Sequence, residues 1–237
     1  MKKYELTSEA KVECGVTLHR IRALIDIEYW GVKAGNMGGW IESEENLDQD
    51  GNAWVFGEAW VSGNARVFGE ARVSGNARVF GEARVSDNAR VFGNARVSDN
   101  AWVFGEARVS DNARVFGNAR VSGNARVFGE ARVFDNARVF GNARVSDNAR
   151  VFGEALVSKT VHVLTVGPIG SRDDTTTFFR TKLLAGFAIS VCCGCFSGTV
   201  DEFRVKVKQT HGDNKHGKSY QLAADLAEAQ IELWEEG

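Results

Sequence analysis

The chain has 237 residues, a formal net charge of −2 and 43% hydrophobic residues, which describes an ordered protein and excludes a disordered or fibrous one. Its first residues, Met1 to Cys14, lack the apolar core of a secretory signal, and no run approaches the roughly 18 apolar residues of a membrane span, so the expected home is the cytoplasm. Three of the four cysteines cluster (Cys192, Cys193, Cys195, with Cys14 apart); this is no disulfide framework, and a reducing compartment keeps them as thiols or metal ligands.

Residues 1–50 form an N-terminal β cap. Residues 16–27 have strand character and are expected to pair with residues 4–12 as a hairpin, a lid over the segment that follows. That segment, residues 51–158, is one hexapeptide repeated eighteen times without an insertion. A fixed period over such a length means a fold that grows by stacking along an axis. In G-N-A-R-V-F, as at residues 63–68, Ala65 and Val67 stand two apart and share the inward face of an extended chain, while Arg66 between them points outward. The pair that follows, such as Gly69-Glu70 or Asp87-Asn88, has turn chemistry, because glycine takes positive φ freely and Asp or Asn tolerates it. Strands this short bury nothing alone and must pair with layers about 4.8 Å above and below.

Phe and Ser alternate after the Val, so the true period is twelve. A flat coil of twelve residues would stack every Phe into one ladder. A triangular coil of eighteen sets Phe above Ser above Phe, as in Phe56, Ser74, Phe92 and Ser110, and each ring fills the space its small neighbours leave; this packing is preferred. Phe134 breaks the alternation and puts Phe116, Phe134 and Phe152 in one column. Fourteen hexads carry Arg at the outward strand position, with Trp54, Trp60, Trp102 and Leu156 in the others. Basic rows beside aromatic residues can bind nucleic acid. Against fourteen Arg, however, stand six Glu and five Asp, leaving only +3, so the arginine stems are expected to lie over Phe rings, their heads to pair with corner carboxylates, and nucleic acid is not expected as a partner.

The strings V-F-G-N-A-R and V-S-D-N-A-R resemble the hexapeptide repeat of left-handed parallel β-helix proteins. The resemblance implies a mainly β fold in which three hexads make one triangular coil, hence six coils and about 29 Å of prism. Val32-Lys-Ala-Gly-Asn-Met-Gly-Gly-Trp40-Ile41, leading to Gly51-Asn-Ala-Trp54-Val55, is similar to the start of a bacterial and phage hexapeptide-repeat family for which no activity is established. Hexapeptide acyltransferases also resemble the repeat, but they use a catalytic His, commonly beside a loop that interrupts the coils. Here no loop interrupts, and no His lies between His19 and His162, so the repeat offers neither a general base nor the imidazoles of a carbonic-anhydrase-type zinc site. Ranks of outward Arg in place of Thr disfavour ice binding. The prism reads as a scaffold or oligomerisation body.

Residues 159–237 read as a small α+β domain with strands over 161–166, 176–182 and 187–196. A helix opens after Thr199, with Glu202 completing a capping box and Val200, Phe203 and Val207 as its inner stripe. A second helix is expected over 215–235, with Tyr220, Leu222, Leu226, Ile231 and Trp234 as apolar candidates. The strings GPIGSRDDTTTFFR, CGCFSGTVDEF and THGDNKH resemble a C-terminal module of phage and prophage proteins, which brings no function with it.

This domain holds most of the side chains capable of chemistry. The polar turn over 167–177, with Ser171, Arg172, Thr175, Thr176 and Thr177, offers N–H groups, hydroxyls and a guanidinium to a phosphate or carboxylate, or is an ordinary hairpin connection; it lacks the P-loop pattern. Cys193 and Cys195 with His211 and His216 are soft ligands suited to zinc, although C-x-C followed by H-x4-H is not a standard spacing; the alternative is buried thiols and turn histidines. A third reading makes one Cys thiolate a nucleophile activated by His211, with Asp213 or Asn214 orienting the ring, although no oxyanion hole is evident.

The whole reads as a non-catalytic homo-oligomer, with a trimer favoured, that needs no cofactor. Its C-terminal domain captures a host protein or a small anionic ligand near Ser171, Arg172, Thr175, Thr176, Thr177, His211 and His216. If phage-encoded, it would act in the host cytoplasm on a process such as nucleotide signalling. The alternatives are an enzyme built on the Cys/His set, with or without zinc, and a structural spacer in a virion or envelope assembly.

Overall fold

The computed structural model describes residues 1–184 and 186–233. Strands β1 (Tyr4–Glu13) and β2 (Val16–Ala23) form the expected antiparallel hairpin, and β3 (Met37–Ile41) pairs with β2. Each hexad then supplies one two-residue strand, from β4 (Trp54–Val55) to β21 (Leu156–Val157). These strands pair in parallel with those eighteen residues away, so that Arg90 faces Arg72 and Arg108, and Val91 faces Val73 and Val109. The repeat strands fall into three stacks of six, which is a triangular coil and rules out the twelve-residue one. Every hexad Ala and Val lies in the axial core at no more than 1% exposure. Each Val so buried contributes about 1.5–3 kcal/mol.

Coiling begins before the first hexad. Trp40 and Ile41 pair with Trp60 and Val61, and Leu47 bridges Val67, so part of a coil precedes residue 51. The first two outward positions are Trp because the cap sits on them: Trp54 is fully buried with its ring 6.1 Å from Tyr4, and Trp60 packs with Leu18, Trp40 and Phe80.

The corners explain the charge pattern. Corner Gly and Asp residues of the repeat all have φ between +56° and +72°. Asp87, Asp99 and Asp111 turn their carboxylates along the axis to accept the N–H of Gly105, Gly117 and Gly129 in the next coil, at 3.0, 3.0 and 3.1 Å. The second corner residue forms amide ladders, Asn94 donating to Asn112 at 3.1 Å and Asn112 to Glu130 at 2.6 Å. The expected pairing of strand arginines with corner carboxylates is therefore not made: among the described residues no hexad Arg stands within 4.0 Å of a carboxylate. Some guanidinium heads lie over rings instead, Arg66 over Phe68 at 5.9 Å and Arg72 over Phe56 at 4.4 Å.

Beyond the bonds made wholly between residues of the two-residue strands, the inter-coil N–H groups donate to carbonyls of the next coil, as Arg66 does to Ala83 at 2.9 Å, so the two ends of the stack differ in their balance of donors and acceptors. The first coil faces outward with carbonyls, and donors meet them. Lys3 Nζ donates to Asp50 O, Gly51 O and Ala53 O, Asn46 Nδ2 to Gly63 O and Ala65 O, and the Tyr4 hydroxyl to Leu47 O. The last coil faces outward with N–H groups, and acceptors meet them: Thr177 Oγ1 takes Arg150 N–H, and His162 Nδ1 takes those of Ser158 and Lys159.

The closing body is an antiparallel sheet of β22 (Val163–Ile169), β23 (Asp174–Leu183), β24 (Gly186–Cys193) and β25 (Phe196–Thr199), with α1 (Val200–His211) and α2 (Lys215–Gln230) on its other side. Alternation along β23 sends Phe179 to the solenoid core and Phe178 to the helices. Phe116, Phe134 and Phe152 stack at 4.9 Å spacing and meet Phe179 at 5.3 Å, so the irregular Phe134 carries the column to this junction.

Three expectations need correction. The strand expected over 187–196 is two, separated by a turn at Gly194. The strand expected at 161 starts at Val163, after a short 3-10 turn over Thr160–His162. Leu222 and Leu226 face solvent, while Ala223, Ala224 and Ala227 form the buried face of α2; at its start the α1–α2 turn is tight, and a Cβ on Gly217 would lie 2.3 Å from Gly212 O. The α1 capping box and stripe are as expected, and Trp234 lies outside the described residues. No helix among the described residues is long and apolar enough to cross a membrane.

Burial lowers the Lys3 ammonium from 10.5 to about 8. Between those values the unfolded chain binds more protons than the native one, so stability rises with pH across that window, and the cost of the buried charge is fully present below it. Lys3→Met should abolish this rise and, with three carbonyls left unmet, cost about 1–3 kcal/mol near neutral pH. Thermal unfolding of both proteins between neutral and alkaline pH checks it.

Candidate ligand pocket

The helix-facing side of the closing sheet and α1 enclose a cavity of about 190 Å³. Ser171, Arg172 and Asp174 line it from the β22–β23 turn, and Cys193, Cys195 and Phe196 from the β24–β25 turn. From α1 come Phe203, Lys206, Val207, Thr210 and His211, the positions that share one helix face, and α2 adds Tyr220.

Tyr220 is the keystone of the arrangement. It reaches beneath the first turn only because residue 170 is glycine, with φ +77°; a Cβ there would lie 1.7 Å from the phenol oxygen. The phenol pKa is pushed up to about 12 by burial first and by its hydrogen bond with Cys193 second, while the Ser171 N–H and the Arg172 charge pull the other way. Thr176 Oγ1 donates to Cys193 Sγ at 3.2 Å and so holds that thiol at the pocket wall. His211 stacks obliquely near Tyr220, ring centres 5.6 Å apart.

Two constellations that the sequence leaves separate thus meet in one place: Ser171 and Arg172 with Cys193, Cys195 and His211. Other candidates lie elsewhere. Thr176 and Thr177 are at most 1% exposed, their hydroxyls engaged by Cys193 and by Arg150 N–H, and are closed to a ligand. Thr175 stands outside the pocket lining, and so does His216, in the first turn of α2 with its ring centre 6.1 Å from that of His211. Cys192 is opposite Thr177 and packs into the solenoid core; burial raises its thiol pKa, partly offset by Arg150.

Among the described residues no three His, Cys, Asp or Glu side chains are grouped to share a metal ion, so Cys193, Cys195, His211 and His216 do not form a preassembled site in this arrangement. The orienting partners expected for His211 are also engaged otherwise. Asp213 pairs with Lys208 at 2.6 Å, which holds its carboxyl below the usual range, and Asn214 Oδ1 caps α2 by accepting from His216 N and Gly217 N. Lys206 and Phe196 were not singled out from the sequence; the spacing of Phe203, Lys206, Val207, Thr210 and His211 was the available signal for Lys206. Gly170→Ala should displace Tyr220 and destabilise the closing domain by about 1–3 kcal/mol through overpacking and strain, read by thermal unfolding with Tyr220→Phe as the mild control.

Segments 71–87, 83–98, 89–105, 107–122, 119–130, 131–147 and 143–159 match the family model of the YdcK beta solenoid repeat. No curated protein matches the chain. All matched segments lie within or at the end of the coils, so the similarity concerns the scaffold: the repeat is similar to a YdcK-type beta solenoid, and neither the cap nor the pocket shares in it.

Proposed function

We propose that the protein is a non-catalytic, homo-oligomeric binding protein whose C-terminal pocket captures a small anionic ligand, with the solenoid as its scaffold. The observation that carries this reading is the convergence of Arg172, Lys206 and His211 on a cavity walled by Phe196, Phe203 and Tyr220. The guanidinium of Arg172 and the ammonium of Lys206 suit phosphate or carboxylate, and aromatic walls suit a ring. A cavity of about 190 Å³ falls below the range of drug-sized ligands, which favours a small molecule or one end of a larger one. The proposal extends to a role in a host process such as nucleotide signalling, with a trimer as the assembly to be weighed by light scattering.

A nucleotide that binds should raise the melting temperature of the wild type and leave that of Arg172→Ala unchanged; ligand at 100 times Kd stabilises by about 2.7 kcal/mol. A thermal-shift screen with no Arg172-dependent rise sinks the proposal. Because Cys193, Cys195 and His211 share the pocket, thiol or zinc chemistry is the second reading. Elemental analysis separates the two: stoichiometric zinc that is lost in Cys193→Ser and kept in Arg172→Ala would establish a metal site.

A further inference from the structure

The arginine faces of the solenoid play no part in the pocket. On one face Arg78, Arg96, Arg114, Arg132 and Arg150 stand in strand-to-strand register, about 4.8 Å apart. The end members are engaged, Arg78 at 5.5 Å over Trp60 and Arg150 with Cys192. Between them Arg96, Arg114 and Arg132 are exposed, and none meets a carboxylate within 4.0 Å among the described residues. The acids that flank this face are turned into the corners, Asp99 and Asp111 to glycine N–H groups and Glu130 to Asn112. Like charges opposite one another on neighbouring strands repel, so the ladder gains by meeting a polymer whose negative charges recur along the same axis.

Two residues beyond Arg114, Arg132 and Arg150, on the same side of each strand, run Phe116, Phe134 and Phe152, their rings nearly parallel at 4.9 Å, while Ser98 follows Arg96 and Phe152 packs on Phe179 of the closing sheet. The chain already shows how such a row takes an aromatic group: on the neighbouring face Trp30 bridges two rungs, 5.4 Å from Arg72 and 5.3 Å from Arg90. A rung spacing of about 4.8 Å is matched by a single strand drawn out somewhat beyond its stacked rise of about 3.4 Å per nucleotide. We infer that this face binds single-stranded nucleic acid along the solenoid axis, phosphates on Arg96, Arg114 and Arg132 and bases against Phe116 and Phe134. The aromatic column selects a nucleic acid over a sulfated polysaccharide or an acidic peptide, whose repeating units carry no base to stack. The small net charge of the repeat argued against such a partner, but that total counts carboxylates which the corners have turned away from the face.

The test is fluorescence anisotropy of a labelled oligothymidylate of about ten nucleotides on the full chain at low salt. Three phosphate contacts give a slope of log affinity against log salt of about −2. The triple variant Arg96→Gln, Arg114→Gln, Arg132→Gln should weaken binding at least about tenfold and flatten that slope. Phe134→Ser, which restores the alternation of the repeat, should weaken it about fivefold or more with the slope unchanged. Arg66→Gln with Arg84→Gln on another face, and Arg172→Ala in the pocket, should change nothing, so this inference and the pocket reading fail separately. Circular dichroism verifies that the variants, all altered at outward positions or in the pocket, remain folded. Absence of wild-type binding, or equal binding by the triple variant, overturns the inference. Heparin binding that is lost in the triple variant, with no oligothymidylate binding, overturns it in favour of a polysaccharide.

Discussion

A coil of two-residue strands completes its backbone hydrogen bonds mainly in the coils beside it, and the rest of the molecule follows from that constraint. Each such bond contributes about 0.5–1.5 kcal/mol net, but an unpaired group shielded from water costs more, so a stack of two-residue strands is stable only when both ends are closed. Because the inter-coil bonds beyond those made wholly between strand residues point the same way, one end presents mainly acceptors and the other mainly donors. The cap answers with an ammonium, a carboxamide and a phenol, and the closing body with a threonine oxygen and an imidazole nitrogen. Two unrelated sequences flank the repeat because two opposite chemistries are needed there.

The corners impose the second constraint. A chain that turns every six residues with positive φ accepts only Gly or a residue that compensates for the strain, and Asp compensates by taking an N–H from the coil above. In each such pair the neighbour above is Gly, as Gly105 is above Asp87, and the neighbour below is also Gly: a Cβ at Gly69 would stand 3.0 Å from Asp87 N. Corner Asp therefore never stacks on corner Asp. The same geometry draws the acids to the edges and leaves the flat faces to arginine, so a repeat with a modest net charge is locally strongly polarised.

The coil was legible from residue order because a period of six with small and β-branched residues two apart has few solutions, and the Phe/Ser alternation selects the triangle. Contacts between regions that share no period were not legible. Trp54 and Trp60 looked like aromatic members of a basic row, and only the cap sequence packed on them reveals them as its seat. Leu222 and Leu226 looked buried by composition, yet the inward face of α2 carries Ala223, Ala224 and Ala227 and leaves both leucines in solvent. For the candidate site, Ser171, Arg172, Cys193, Cys195 and His211 were each visible as residue types, but their convergence depends on Tyr220 passing beneath Gly170, which is a property of shape.

The two halves of the protein meet in a single strand. Along β23, Thr177 accepts the last outward N–H of the coils while Thr176, its neighbour, holds the Cys193 thiol at the pocket wall; across from them Cys192 packs into the solenoid and Cys193 faces the helices. A domain of this size has little core with which to fix a binding geometry on its own. Seated on a rigid stack through Phe179, Arg180 and Thr177, its sheet keeps one face immobile, and the residues on the opposite face inherit that order. A preorganised wall lowers the ordering cost of capturing a small ligand. Under the proposed binding function the long prism would serve the pocket through the stiffness of its last coil, and the closing sheet would be lid and binding wall at once.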